Sequence, residues 1–94
     1  MTKKLSIVRF KPKPEHFEEF VHNIQAWHSQ FHANGDHLLM RTNEEVVAVV
    51  VRDSEMLHES IQRGVAWLDN QRSLLLEYNE VDRHTLPMTG DLVV

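Results

Sequence analysis

The sequence predicts an α+β domain in which four strands and two helices follow one another in the order β-α-β-β-α-β. Two long stretches of helical periodicity alternate with short runs of β-forming residues, and the two middle runs are joined by only a brief polar connection. No linker, repeat or low-complexity tract divides the chain of 94 residues. We therefore expect residues 1–94 to form a single domain with one modest core.

The first strand and the first helix are predicted from the N-terminal third of the chain. Leu5–Phe10 is rich in β-forming residues, and the two prolines that follow, Pro12 and Pro14, cannot donate hydrogen bonds to a sheet. A helix is expected from about Pro14, because glutamates occupy its first turn and apolar side chains then recur at helical spacing. Asn34-Gly35 is a typical stop signal for this helix.

The middle of the chain is predicted to form a hairpin. Its two strands are Asp36–Thr42 and Glu45–Arg52, and the connection lies around Asn43-Glu44. The second of these strands contains an unbroken apolar run, Val46–Val51. Because strand side chains alternate between two faces, this run requires cover on both faces of the sheet.

A second helix and a last strand are predicted from the C-terminal half. Asp53 or Ser54 is suited to cap a helix, and the apolar stripe that follows keeps a helical phase to about Asn79. The last strand is then expected at Thr85–Val94. The stretch LLLEY leaves an alternative, in which the helix ends earlier and the fourth strand lies at Leu74–Val81.

This order of elements predicts both a fold and an assembly. Right-handed crossovers fold it into a four-stranded antiparallel sheet with both helices on one face, the ferredoxin-like arrangement. The other face of the sheet then stays bare, although burying one valine there is worth roughly 1.5 kcal/mol or more. A second copy of the sheet is the simplest cover. We therefore expect a homodimer formed through the sheet faces.

Composition and charge exclude several classes of function. The chain has no cysteine, so disulfides, thiolate metal sites and a cysteine nucleophile are excluded. A net charge of −4 argues against nucleic acid as a partner, and no segment approaches the ~20 apolar residues of a membrane span. There is neither a GxSxG elbow nor a glycine-rich phosphate loop. A soluble, cytoplasmic protein is expected.

The pattern resembles the dimeric α/β-barrel superfamily and, within it, the antibiotic-biosynthesis-monooxygenase-like proteins. The resemblance runs through the opening IVRFKPKPEHFEEFVHNIQAW, the hairpin, and the second helix from Ser54. It implies a ferredoxin-like protomer with a pocket between the sheet and the two helices. Members include cofactor-free oxygenases of aromatic polyketides, haem-degrading enzymes and lactone isomerases.

The resemblance carries few catalytic residues over. Trp67 corresponds to a tryptophan on the second helix of the haem-degrading branch, but the strand LSIVRF lacks that branch's asparagine. Glu77 and Tyr78 stand where its histidine would be. Trp67 and Tyr78 supply only part of the Asn/Trp/Tyr set of the polyketide oxygenases. The resemblance therefore implies neither haem nor another cofactor.

His28 is the candidate for a catalytic role. It lies near the centre of the apolar stripe of the first helix, where a histidine either finds a hydrogen-bond partner in the core or lines a cavity. In a cavity it could act as a general base near neutral pH. His32 lies one helical turn away and His37 follows, but no third ligand has matching spacing, so no metal site is expected.

Aromatic residues and one arginine are candidates for ligand binding. Trp67 and Tyr78 are expected on one side of the second helix, and Trp27 borders the stripe of the first. They form either an aromatic-lined pocket or core and dimer packing. Arg9 either binds an anionic substrate or pairs with a surface glutamate.

Together these residues suggest two functions. One is cofactor-independent oxidation or isomerisation of a small aromatic or enolisable compound, in which His28 takes a proton and Trp67 with Tyr78 packs the ring. The alternative is a non-catalytic dimeric module that binds a small ligand or a partner protein.

Overall fold

A computed structural model describes residues 3–30 and 36–93. It contains four strands and two α-helices in the predicted order. The strands are β1 (Lys3–Phe10), β2 (Asp36–Arg41), β3 (Val46–Asp53) and β4 (Thr85–Asp91), and the helices are α1 (Phe17–Gln30) and α2 (Ser54–Asp69). No helix in the described part of the chain is long and apolar enough to cross a membrane.

The four strands form one antiparallel sheet in the order β2-β3-β1-β4. Each helix therefore connects two parallel strands that have one other strand between them: β3 lies between β1 and β2, and β1 lies between β3 and β4. The ferredoxin-like α+β fold predicted from the sequence is confirmed.

Strand register decides which side chains lie on the helix-covered face of the sheet. Phe10 pairs with Val46, and Leu39 pairs with Ala48, so these apolar side chains share one face. They pack together with the helices. Phe20 and Ile24 of α1 are the largest fully buried side chains of this core, with 0% and 2% of their surface exposed.

The opposite face of the sheet, here called the open face, carries a second apolar set. Register places the alternate residues of each strand on it: Leu5, Ile7, Leu38, Met40, Val47, Val49, Val51, Leu86 and Met88. Leu38 and Met88 are each 67% exposed. Neither α1 nor α2 covers this face.

The hairpin and the first helix begin as the sequence predicts. The amide of Thr42 donates to the carbonyl of Glu45 over 2.8 Å, which closes the β2–β3 turn. A 3₁₀ turn at Pro14–His16 leads into α1, because proline fits a first helical position without losing a hydrogen bond. The predicted helix stop at Asn34-Gly35 lies outside the described residues.

The predicted end of the second helix is wrong. The helix α2 begins after Asp53, as expected, but ends at Asp69 instead of continuing to Asn79. A short 3₁₀ turn at Arg72–Leu74 follows, and the chain then runs extended. The alternative fourth strand at Leu74–Val81 is also wrong, since β4 begins at Thr85, as first predicted, and ends at Asp91.

Core burial explains why LLLEY imitates a helix. Leu75 is 2% exposed and belongs to the core, but it reaches that position from an extended segment. This segment is held beside the chain that follows β1: the amide of Lys13 donates to the carbonyl of Leu74, and the amide of Leu76 to that of Lys11, each over 2.8 Å. A buried residue seven positions after Leu68 therefore does not require a continuous helix.

Replacing Phe20 by alanine should destabilise the protein by about 3–5 kcal/mol, since a fully buried ring is removed and leaves a cavity. Urea denaturation at a fixed protein concentration measures the loss. Val81→Ala is the matched control, because Val81 is 90% exposed and its truncation should change the free energy of unfolding by less than about 0.5 kcal/mol. Equal effects of the two substitutions would contradict the assignment of the core.

Candidate functional site

The candidate residues named from the sequence fall into three separate groups. His28 lies with His37 on the helix side of the sheet, Trp27 lies against Trp67 between the two helices, and Arg9 and Tyr78 meet at the open face. The described residues therefore do not form one pocket that contains all the candidates.

Two histidine rings lie in contact inside the protein. His28 belongs to the last turn of α1, and His37 is the second residue of β2. Their ring centroids are 4.3 Å apart with the rings tilted by 47°. The residues are only 8% and 7% exposed, so both imidazoles lie within the layer between the helices and the sheet.

Arg52 completes this group, which we call the histidine–arginine cluster: His28, His37 and Arg52. Arg52 lies near the end of β3, on the helix side, and its Nη2 donates to Nε2 of His37 over 2.5 Å. A guanidinium can only donate, so Nε2 of His37 is the acceptor and the neutral ring carries its proton on Nδ1. The bond fixes the orientation of His37 beside His28.

Burial lowers the pKa of the Arg52 guanidinium, and the positive charge of Arg63 on α2 adds to this effect. Arginine nevertheless stays protonated in proteins. The cluster therefore combines a fixed positive charge with two imidazoles, whose ring nitrogens can accept or donate hydrogen bonds. Such a combination can move a proton and hold an anion.

The tryptophans belong to the packing around the core. Trp27 and Trp67 stack with centroids 4.9 Å apart and an angle of 22° between the rings. Trp67 also contacts Phe20 at 5.8 Å and Phe10 edge-on at 6.3 Å. The Trp67 indole is thus packed among aromatic rings from α1 and β1.

Tyr78 lies on the opposite side of the sheet from Trp67, so the predicted shared side on α2 is wrong. The helix ends before Tyr78, and the chain then carries this ring to Arg9, a residue of the open face. The hydroxyl of Tyr78 donates to Oε1 of Glu45 over 2.5 Å. Arg9 holds both oxygens of the same carboxylate, through Nε at 3.0 Å and Nη2 at 2.8 Å.

This Arg9–Glu45–Tyr78 group has a definite charge state. The hydrogen bond from Arg9, followed by that from Tyr78, holds the pKa of Glu45 below its ordinary value. Burial has the largest effect on the pKa of the Tyr78 hydroxyl, followed by its hydrogen bond to Glu45, and both raise it. The hydroxyl therefore keeps its proton and remains a donor. Arg9 is thus engaged with a glutamate of its own chain.

A shallow groove lies at the other end of β2. It is lined by Pro14, Phe17, Glu18, Arg41, Thr42 and Asn43. Arg41 bridges it, because its guanidinium binds the carboxylate of Glu18 and lies 4.9 Å from the Phe17 ring centroid. This groove is separate from the histidine–arginine cluster.

Sequence reasoning missed Arg52 and Glu45, and it considered His37 only as a possible metal ligand, not as a neighbour of His28 and Arg52. A signal for His37 and Arg52 existed, since they occupy alternate positions of strands whose helix-side neighbours are apolar. The second histidine of the His28–His32 pair lies outside the described residues. Among the residues that the structure describes, no three His, Asp or Glu side chains are grouped as metal ligands.

Two solved structures match this fold at low sequence identity. NE2512, a protein of unknown function from Nitrosomonas europaea, gives a TM-score of 0.78 at 15% identity, with 100% of this chain and 92% of that chain covered. Rv0793 from Mycobacterium tuberculosis gives 0.76 at 17% identity, with coverage of 98% and 96%. Neither a protein-family model nor a curated protein matches the chain. The two likenesses bear on the fold alone.

Glu45→Gln should destabilise the protein at neutral pH and have a smaller effect in acid. The folded-state pKa of Glu45 lies below its ordinary value of 4.5, so its stabilisation is fully present above pH 4.5 and is lost as the pH falls through the folded-state pKa. Denaturation of both proteins between pH 3 and 7 measures the difference. Tyr78→Phe keeps the pair of Arg9 with Glu45, so its loss of stability should depend less on pH than that of Glu45→Gln. A loss of stability in Glu45→Gln that is the same at every pH would contradict this assignment.

Proposed function

We propose that the protein is a monooxygenase-like dimeric α/β-barrel protein that binds a small enolisable or phenolic compound at the histidine–arginine cluster and removes a proton from it with His28. The observation that carries this proposal is the pair of buried imidazoles in contact, His28 and His37, in the layer between the helices and the sheet. Histidines are costly at such positions unless they have a structural or chemical role.

The chemistry follows from the imidazole. A neutral His28 can accept a proton from a carbon next to a carbonyl, or from a phenol, and a positioned base contributes about 10²–10⁴-fold to the rate. His37, held by Arg52, packs against the His28 ring and limits its freedom. The resulting enolate or phenolate is either protonated again at another carbon or oxidised by dioxygen, and proton removal is common to both.

The homodimer is part of the same proposal. It is supported by the apolar side chains that the strand register places on the open face. Side chains such as Leu38 and Met88, both 67% exposed, would be withdrawn from water by a second copy of the same face. We also propose a cytoplasmic location, because a chain without cysteine suits a reducing compartment.

One observation favours the non-catalytic alternative, a dimeric module that binds a small ligand or a partner protein. The aromatic rings expected to hold a substrate do not converge on His28, since Trp67 packs against Phe10 and Phe20 and Tyr78 binds Glu45 across the sheet. A protein that binds a ligand at the cluster without removing a proton would have this arrangement.

His28→Ala should abolish proton removal. The enol-to-keto conversion of phenylpyruvate and of its methyl ester, followed by ultraviolet absorbance, provides the assay; wild type should exceed the buffer rate, and the variant should lose about 10²–10⁴-fold. His22→Ala is the matched control, because His22 is an exposed residue of α1. Undiminished rates in His28→Ala would exclude the role, and binding without any acceleration by wild type would favour the non-catalytic module.

Val49→Lys should convert the dimer to monomers. Val49 lies between Ile7 and Leu38 on the open face, so a lysine there would bury its charge in the proposed interface. Sedimentation velocity at micromolar concentration compares the two proteins with the protomer mass of 11.0 kDa. Val65→Lys on the exposed side of α2 should leave the dimer intact. A wild-type protein that sediments as a monomer would contradict the assembly.

A further inference from the structure

The environment of Arg52 differs from that of the other arginines for which the structure gives a charge partner. Among the described residues, four of these arginines are paired with carboxylates: Arg9 with Glu45, Arg41 with Glu18, Arg72 with Asp69 and Arg83 with Glu77. Arg52 has no carboxylate within ion-pair distance among the described residues. Its Nη2 is bound to a neutral imidazole nitrogen of His37.

The Nε atom of Arg52 is the most unusual part of this environment. It is buried and has no hydrogen-bond partner in the part of the chain that the structure describes. A buried N–H that has lost water without gaining a partner is unfavourable, and more so on a charged group. The position therefore lacks one acceptor.

A second positive charge acts on Arg52. Arg63 on α2 acts on Arg52 as a like charge, and its repulsion adds to burial in lowering the pKa of that guanidinium. His37 is neutral when Nε2 accepts the bond from Arg52, so it provides no negative charge. An anion would accept the hydrogen bond from Nε of Arg52, which has no acceptor among the described residues, and would offset the charge of this guanidinium.

We propose that Arg52 binds the carboxylate group of an organic acid, which is the ligand of the histidine–arginine cluster. A carboxylate oxygen accepts from a guanidinium N–H in a charge-assisted bond, as Glu45 does from Nε of Arg9 on the other side of the sheet. Arg52 as a whole is only half-buried, so part of its side chain faces solvent beside the buried Nε.

This inference rests on the proposed function, because it names the substrate class of that site: small enolisable acids rather than neutral ketones or phenols. His37 connects the two residues, because it accepts a hydrogen bond from Arg52 and its ring contacts that of His28. The carboxylate would hold the acid in place while the neighbouring carbon presents its proton to His28.

Binding of phenylpyruvate and of its methyl ester, measured by isothermal titration calorimetry, tests the inference independently of turnover. Wild type should bind the acid at least about tenfold more tightly than the ester, and Arg52→Met should abolish this preference. Arg41→Met is the matched control, since it removes a positive charge of β2 that already has a carboxylate partner. The preference should weaken as salt is raised.

Stability without ligand provides a second readout. Replacing a half-buried cation that has no carboxylate partner by methionine should leave the thermal midpoint unchanged or raise it. This also shows whether Arg52→Met folds.

Four results would overturn the inference. These are equal affinity of wild type for acid and ester, an unchanged preference in Arg52→Met, no saturable binding of phenylpyruvate, and tighter, Arg52-dependent binding of inorganic phosphate. Failure of the proposed function is separate: if Arg52 sets the preference for the acid but His28→Ala does not change the rate, the carboxylate site stands and the catalytic role does not.

Discussion

Every strand of this sheet divides its side chains between two faces, and the chain supplies helices for only one of them. All the other features depend on this constraint. On the helix side, Phe10 and Val46 join Phe20 in the core, and the same face carries the histidine–arginine cluster at the end of β3. On the open face an apolar surface ends at the Arg9–Glu45–Tyr78 group. The histidine–arginine cluster and the Arg9–Glu45–Tyr78 group therefore lie on opposite faces of the sheet.

The two arginines of the central strands show how differently the two faces treat a positive charge. Arg9 binds the carboxylate of Glu45 and lies over the Tyr78 ring, so its charge is balanced within its own chain. Arg52 meets an imidazole and lies within the influence of another arginine, Arg63. A partly buried cation without a carboxylate partner among the described residues adds little to stability, since an apolar residue at the same place would cost less.

The order of elements and the starts of most of them could be predicted because proline, capping residues and two-residue alternation are local signals. The end of α2 could not, because Leu75 is buried through its contact with the segment after β1, and a distant contact leaves no mark on local periodicity. The same error placed Tyr78 beside Trp67. His28 was found from its position on an apolar stripe, whereas His37 and Arg52 became partners only through the pairing of β2 with β3.

The position of β1 in the sheet also constrains how the chain is made. This strand is synthesised before both of its neighbours, β3 and β4, and the partner of Lys4 is Asp91, which follows 87 residues later in the sequence. A nascent chain leaving the ribosome can assemble the β2–β3 hairpin early, but one edge of β1 stays without hydrogen-bond partners until β4 has been synthesised. During that interval the unpaired strand is the part of the molecule most open to pairing with another chain.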